Sequence, residues 1–196
     1  MSFVQDRATW INLGQGPIDR TGNALDVAIE GKGFLAVQTP RGERYTRNGA
    51  LHINSTGELV TSEGYQVLGD AGPITLQPKD RDVSISEDGT ISVREGDNVK
   101  TESQRGKLRL ASFEFPNRLQ KDGSSTFMAP QGITPQIDTI SHFMQGGLEK
   151  SNVHGVVEMT RMIEVTRTYT QIASMLAQQN EMQQNAIDKL AAVPTS

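Results

Sequence analysis

The chain has no cysteine, which excludes disulfide staples and thiolate metal sites and leaves the redox compartment open. Histidine is scarce too. His52, His142 and His154 stand at no metal-ligand spacing from one another, so they read as surface or packing residues. Aromatic residues are 5% of the sequence, which leaves most of any core to aliphatic side chains. Basic residues are not in excess. The formal net charge is −4, which argues against a nucleic-acid partner, because such recognition needs clustered positive charge. No apolar run approaches the roughly 18 residues of a membrane span. The first residues lack the basic and apolar regions of a signal peptide, so export, if it occurs, is expected to proceed without a cleavable signal.

Motifs for chemistry are missing as well. There is no G-x-S-x-G elbow and no Gly-Lys-Ser/Thr phosphate loop. Gly14-Gln15-Gly16 and Gly31-Lys32-Gly33 are glycine-rich, but Gly33 opens a strand pattern where a phosphate loop would open a helix. Asp80, Asp82, Glu87, Asp88, Glu95 and Asp97 cluster near turn signals without the spacing of an EF-hand loop, and read as solvated turn residues. No catalytic residue, cofactor, metal or small-molecule substrate is indicated. An enzyme or carbohydrate-binding module would need a polar site that no constellation here supplies.

What is present falls into two patterns. With 196 residues, 35% hydrophobic and 21% charged, the chain suits one domain with an appendage. Residues 1–21 are an extended lead-in broken by Gly14, Gly16 and Pro17. From there to Gly147, short β-branched runs alternate with turn signals at roughly ten-residue spacing, the mark of an antiparallel all-β unit. Strands are expected at Leu25–Glu30, Phe34–Thr39, Glu43–Arg47, Leu51–Asn54, Glu58–Thr61 and Tyr65–Leu68. Further ones are expected at Ile74–Gln77, Asp82–Ile85, Thr90–Val93, Gly106–Phe115 and Thr126–Met128. Turns fall at Ser55-Thr56-Gly57, Ser62-Glu63-Gly64, Glu87-Asp88-Gly89 and Glu95-Gly96-Asp97. Residues 135–147 lead back toward a helix.

The segment 148–196 is different. Between Val153 and Ala192 there is no proline, and good helix formers dominate. Some forty residues of helix would be roughly 60 Å long, more than a domain of this size can cover. At 100° per residue Met159, Met162, Ile163, Tyr169, Ile172, Ala173, Leu176, Ala177, Ile187, Leu190 and Ala191 share about half the wheel. This stripe is wider than a coiled-coil seam and suits a helix with neighbours on two sides. Val156, Met159, Met162, Ile163, Tyr169, Ile172, Ala173, Leu176 and Leu190 are therefore the candidate assembly contacts. Arg167 is their charged partner at the seam, and packing is expected to loosen between Asn180 and Gln184. A soluble adaptor using this helix for a single partner is the alternative reading.

Leu148-Glu149-Lys150-Ser151-Asn152-Val153, then Glu158-Met159 and Met162-Ile163 with Arg167 and Tyr169, resemble the C-terminal signature of the flagellar axial proteins, the rod and hook subunits. The run from Gly22 through Gly31-Lys32-Gly33-Phe34, Tyr45-Thr46-Arg47-Asn48-Gly49, and Gly57-Glu58-Leu59-Val60 are similar to the start of that family's β domain. Gly72-Pro73-Ile74, Ser86 to Ile91 and Gly106 to Leu110 resemble its proximal-rod members, with the distal rod as runner-up. The resemblance implies a mainly β fold with a long C-terminal α-helix, its antiparallel β domain of the flagellar rod/hook middle-domain type. It also implies a structural subunit that transmits torque, with other proximal and distal rod subunits, copies of itself and the flagellar export apparatus as partners. The helix with which the family begins has no counterpart here; Met1-Ser2-Phe3 resembles the region just after it, which implies a shortened chain or a downstream start.

Overall fold

The computed structural model describes residues 11–95 and 102–191, the last two by their backbone only. The turn at Gly96-Asp97 and the first ten residues of the lead-in lie outside them. The chain divides into two compact units, Met1–Asn152 and Val153–Ser196. The first is built of antiparallel strands and the second is one helix.

In chain order the strands are β1 (Ile18–Arg20), β2 (Val27–Glu30), β3 (Phe34–Thr39), β4 (Gly42–Thr46), β5 (Leu51–Ile53), β6 (Leu59–Thr61), β7 (Gln66–Gly69) and β8 (Gly72–Pro73). There follow β9 (Asp80–Ile85), β10 (Thr90–Glu95), β11 (Glu102–Lys107), β12 (Leu110–Ser112), β13 (Gln120–Lys121), β14 (Thr126–Met128), β15 (Gln136–Ile137), β16 (His142–Gln145) and β17 (Gly147–Glu149). The helix α1 spans Gly155–Ala191. The largest sheet runs β13-β14-β4-β3-β7-β6-β5, with β12 and β15 added beside β3 and β8 beside β7. A three-stranded sheet β11-β10-β9 and the pairs β1·β17 and β2·β16 complete the unit.

Strand β3 is central because both its faces are apolar. Along a strand, side chains alternate between faces. Leu35 and Val37 enter one core with Val27, Ile29, Ile91 and Phe143, while Phe34 and Ala36 enter a second with Tyr45, Ala111 and Phe113. Four of the eight aromatics among the described residues meet in this second core. Phe34 meets Phe113 and Phe127 edge-on at 5.9 and 5.8 Å, and Tyr45 meets Phe113 at 4.8 Å, geometries that add to simple burial.

Strands Phe34–Thr39 and Thr126–Met128 fall where the pattern puts them, and β2, β4–β7, β9 and β10 lie within one or two residues of expectation. Two expectations are corrected. Ile74–Gln77 is not a strand: Thr75 makes an isolated bridge to Glu58, and hydrogen bonds from Leu59 and Leu76 tie it alongside β6. Gly106–Phe115 is not continuous either. Leu108 bridges Gly69, and Arg109 N–H donates to the Leu68 carbonyl, so the chain leaves one sheet at Lys107 and joins another at Leu110. Strands β1, β13, β15, β16 and β17 have two to four residues, too few to show a period.

The acidic group is also corrected in part. Asp80 is not a solvated turn residue: its side chain is 2% exposed and lies 2.6 Å from Arg105, which also reaches Glu95 at 2.9 Å. The Arg105 hydrogen bonds hold the Asp80 carboxyl below the usual range; burial opposes this, and the Gln77 N–H adds to it. A carboxyl depressed in the folded state stabilises above its unfolded pKa, near 3.9, and that contribution is lost as pH falls through the folded value. Arg105→Met is therefore expected to lower the urea midpoint at pH 7, the deficit shrinking below about pH 4. A deficit unchanged in acid would overturn this.

Gly49 gives a second test. A Cβ there would stand 1.7 Å from the Val27 carbonyl oxygen, and the two residues are held together by Val27 N–H donating to the Gly49 carbonyl at 3.0 Å. Gly49→Ala is expected to cost at least about 3 kcal/mol in urea unfolding. Gly155→Ala, with open space around it, should stay within about 0.5 kcal/mol or stabilise.

Candidate assembly surface

Helix α1 forms because nothing interrupts it: 37 residues carry Gly155 at their start and no proline. Its length is roughly 55 Å. Glu158 sits in the first turn and Lys189 in the last, each favourable to the helix dipole. Every described side chain of α1 is exposed. Its large apolar residues are between 53 and 79% accessible, Ile172 and Val156 marking the limits.

Of the expected contacts, Val156, Met159, Met162, Ile163, Tyr169, Ile172 and Leu176 are exposed large apolar groups, and Ala173 is exposed beside them. Leu190 belongs to the helix, but its side chain lies outside the described residues. Arg167 is exposed, and among the described residues no helix side chain makes an ion pair. Reading the stripe alone misses four exposed apolar residues, Val157, Val165, Met175 and Met182. Val165 falls within the main stripe. Val157, Met175 and Met182 fall on the opposite side, the last two seven residues apart and nearly in line. That heptad spacing was the available signal. The helix thus carries a few apolar groups on its otherwise polar side, among Arg161, Glu164, Gln171 and Gln178.

The hydroxyls between these residues are already satisfied. Thr160, Thr166, Thr168 and Thr170 donate to the carbonyls of Val156, Met162, Glu164 and Thr166, at 2.8 to 3.1 Å. A threonine bonded in this way shows its methyl group outward. Such a residue can be covered without leaving an unpaired donor, whose desolvation costs about 1–3 kcal/mol.

Just before the helix, the segment 147–152 is anchored inside the β unit. Arg47, 13% exposed, donates from Nε to Glu149 Oε2 at 2.8 Å, with Glu149 9% exposed. Its Nη1 donates to the Gly31 and Gly33 carbonyls at 3.0 and 2.9 Å, and its Nη2 to Ile29 O at 3.2 Å. The guanidinium also lies 5.8 Å from the Phe34 ring centroid, within cation–π range. Glu149 Oε1 accepts the Gly16 N–H at 2.8 Å. Asn152 donates to the Asn12 and Gly14 carbonyls at 3.1 and 2.7 Å, and Lys150 N–H to Pro17 O at 2.8 Å. The two glycine-rich runs singled out in the sequence are the walls of this clamp. Gly31 and Gly33 turn carbonyls toward a cation, the reverse of a phosphate cradle.

A family model described as the flagellar hook protein FlgE/F/G D1 domain matches residues 28–93, and one described as the flagellar basal body rod FlgEFG protein C-terminal matches 144–189. The chain is 35% identical over 194 residues to a flagellar basal-body rod protein FlgF of Caulobacter vibrioides, covering 98% of this chain and 76% of that protein. It is 33% identical over 197 residues to the Mesorhizobium japonicum FlgF, covering 98% and 78%. A flagellar basal-body rod protein FlgG of Agrobacterium fabrum is 33% identical over 175 residues, 86% of this chain and 65% of that one. Arg47 lies in the first matched segment and Glu149 in the second, so the clamp joins them.

Four of the five guanidinium N–H groups are committed, and an ammonium cannot span those acceptors. Arg47→Lys is expected to destabilise the β unit by about 2–4 kcal/mol in urea unfolding. Glu149→Gln, which keeps an acceptor for Gly16, should cost less. Equal, sub-kilocalorie effects of both would show that the clamp carries little.

Proposed function

The chain belongs to the flagellar FlgE/F/G rod and hook protein family, and we propose that α1 is the element through which it assembles as a structural subunit of the basal-body rod. The observation that carries this is the helix itself: roughly 55 Å long, its broad apolar stripe exposed, its threonine hydroxyls internally satisfied. Buried apolar area stabilises by about 25 cal/mol per Å². Val156, Met159, Met162, Ile163, Tyr169, Ile172, Ala173, Leu176 and Leu190 are the assembly contacts, and Arg167 pairs with an acidic group of a neighbour. The Caulobacter vibrioides and Mesorhizobium japonicum FlgF relatives match 98% of the chain, which favours the proximal over the distal rod.

In this reading the partners are proximal and distal rod subunits and further copies of the chain, and the rod passes torque along its length. The flagellar export apparatus is the route and the periplasm-spanning rod the destination; family membership supports both. The role is structural rather than catalytic, in keeping with relatives named as rod proteins.

Sedimentation velocity over a range of concentrations tests it, on the full chain, on Ile163→Asp and on a chain ending at Asn152. That end point keeps β17 and Glu149, which a cut after Gly147 would remove. The full chain is expected to associate with rising concentration, and the shortened chain to stay monomeric. Ile163→Asp should weaken association by about 3 kcal/mol, roughly a hundredfold, with the β-sheet circular dichroism unchanged. Association of Ile163→Asp at the parent's strength would overturn the reading.

A further inference from the structure

Four of the seven methionines fall in α1, at positions 159, 162, 175 and 182. Their side chains are 65 to 70% exposed, whereas Met128 and Met144 of the β unit are half-buried; Met1 lies outside the described residues. Met159 and Met162 stand on the main stripe. Met175 and Met182 stand on the opposite side, so each side of the helix carries a thioether pair. Cysteine is absent, which leaves these sulfurs as the soft oxidisable groups of the surface.

We propose that these four methionines are an oxidation site that controls assembly: a peroxide converts them to sulfoxides in the free chain, and the sulfoxides keep the helix from being buried on either side. The proposal rests on the assembly reading above. In the step, a sulfur lone pair attacks one peroxide oxygen and the O–O bond breaks. One S–O bond forms, sulfur loses two electrons, and the other peroxide oxygen leaves as hydroxide, which takes the proton of the transferred oxygen to become water. Exposure sets which sulfurs react first.

The product matters because of where its new acceptor points. Inside a helix each backbone N–H is already bonded to the carbonyl four residues earlier. A sulfoxide oxygen at Met162, Met175 or Met182, beyond the first turn, therefore finds no free backbone donor on its own helix. The threonines are the opposite case: their hydroxyls are donors, and a carbonyl can accept a second bond, as those of Val156, Met162, Glu164 and Thr166 do. A hydroxyl on α1 can be covered dry, whereas a sulfoxide must keep its water or leave its acceptor unpaired.

The test treats the full chain with hydrogen peroxide at a concentration where it is monomeric. Peptide mass spectrometry follows each methionine, and sedimentation velocity follows self-association after the peroxide is removed. Sulfoxide is expected at 159, 162, 175 and 182 before 128 and 144, and the treated chain should associate at least about tenfold more weakly. A variant with Met159→Leu, Met162→Leu, Met175→Leu and Met182→Leu should associate equally before and after treatment. Simultaneous oxidation at Met128 and Met144, or undiminished association of a chain oxidised on the helix, would overturn the proposal and leave the assembly reading intact. An untreated chain that never associates would overturn the assembly reading, and the proposal with it.

Discussion

The Arg47–Glu149 ion pair is the contact on which the β unit's closure depends. It joins groups 102 residues apart in sequence at 2.8 Å, and both are nearly removed from water. A charge in that setting is costly unless its hydrogen bonds are complete. Arg47 meets the requirement by gathering the Ile29, Gly31 and Gly33 carbonyls around its remaining N–H groups. Glu149 meets it by accepting from Gly16. The result is that the loop before β3, the lead-in before β1 and the last strand β17 are fixed by one pair of charges. Asn152 continues the same arrangement one step further, to the final residue of the unit.

This clamp sits against the strand that organises the packing. Phe34 lies under the guanidinium and begins β3, whose alternating side chains serve two cores. The scarcity of aromatics has a structural counterpart here. Phe34, Tyr45, Phe113 and Phe127 meet edge to face in the smaller core, where large rings fill a space that few side chains share, while the larger core is almost entirely aliphatic.

The helix obeys a different logic. An isolated helix in water draws little stability from propensity, and most helices are held by burial of one face. In α1 the large apolar groups cover about half the wheel, with Val157, Met175 and Met182 beyond it, and all those described are exposed. That distribution is wasteful for a helix that closes one core and suitable for one surrounded by others. The helix has no internal ion pairs among the described residues to compensate, and its hydroxyls are turned inward to its own carbonyls. Both features lower the cost of covering it.

Much of this was legible in the residue pattern. The run from Gly155 to Ala191 shows itself as a helix by composition and period. Phe34–Thr39 shows itself as a strand because six residues suffice for a pattern. The motifs Gly31-Lys32-Gly33-Phe34, Tyr45 to Gly49 and Leu148 to Val153 identify the family before any coordinate is known. Their physical purpose was not legible: Arg47 reads as the end of the expected strand Glu43–Arg47 and Glu149 as a charge near a helix, and only the fold brings them together. The same holds for Asp80, which reads as a solvated acid until Arg105 is placed beside it, and for Gly49, whose missing side chain matters because the Val27 backbone passes 1.7 Å from where a Cβ would be. Periodicity within a few residues reports the local path of the chain and which face is apolar. The pairing of charges and the meeting of backbones depend on where distant segments cross, and that is set by the packing of the whole unit.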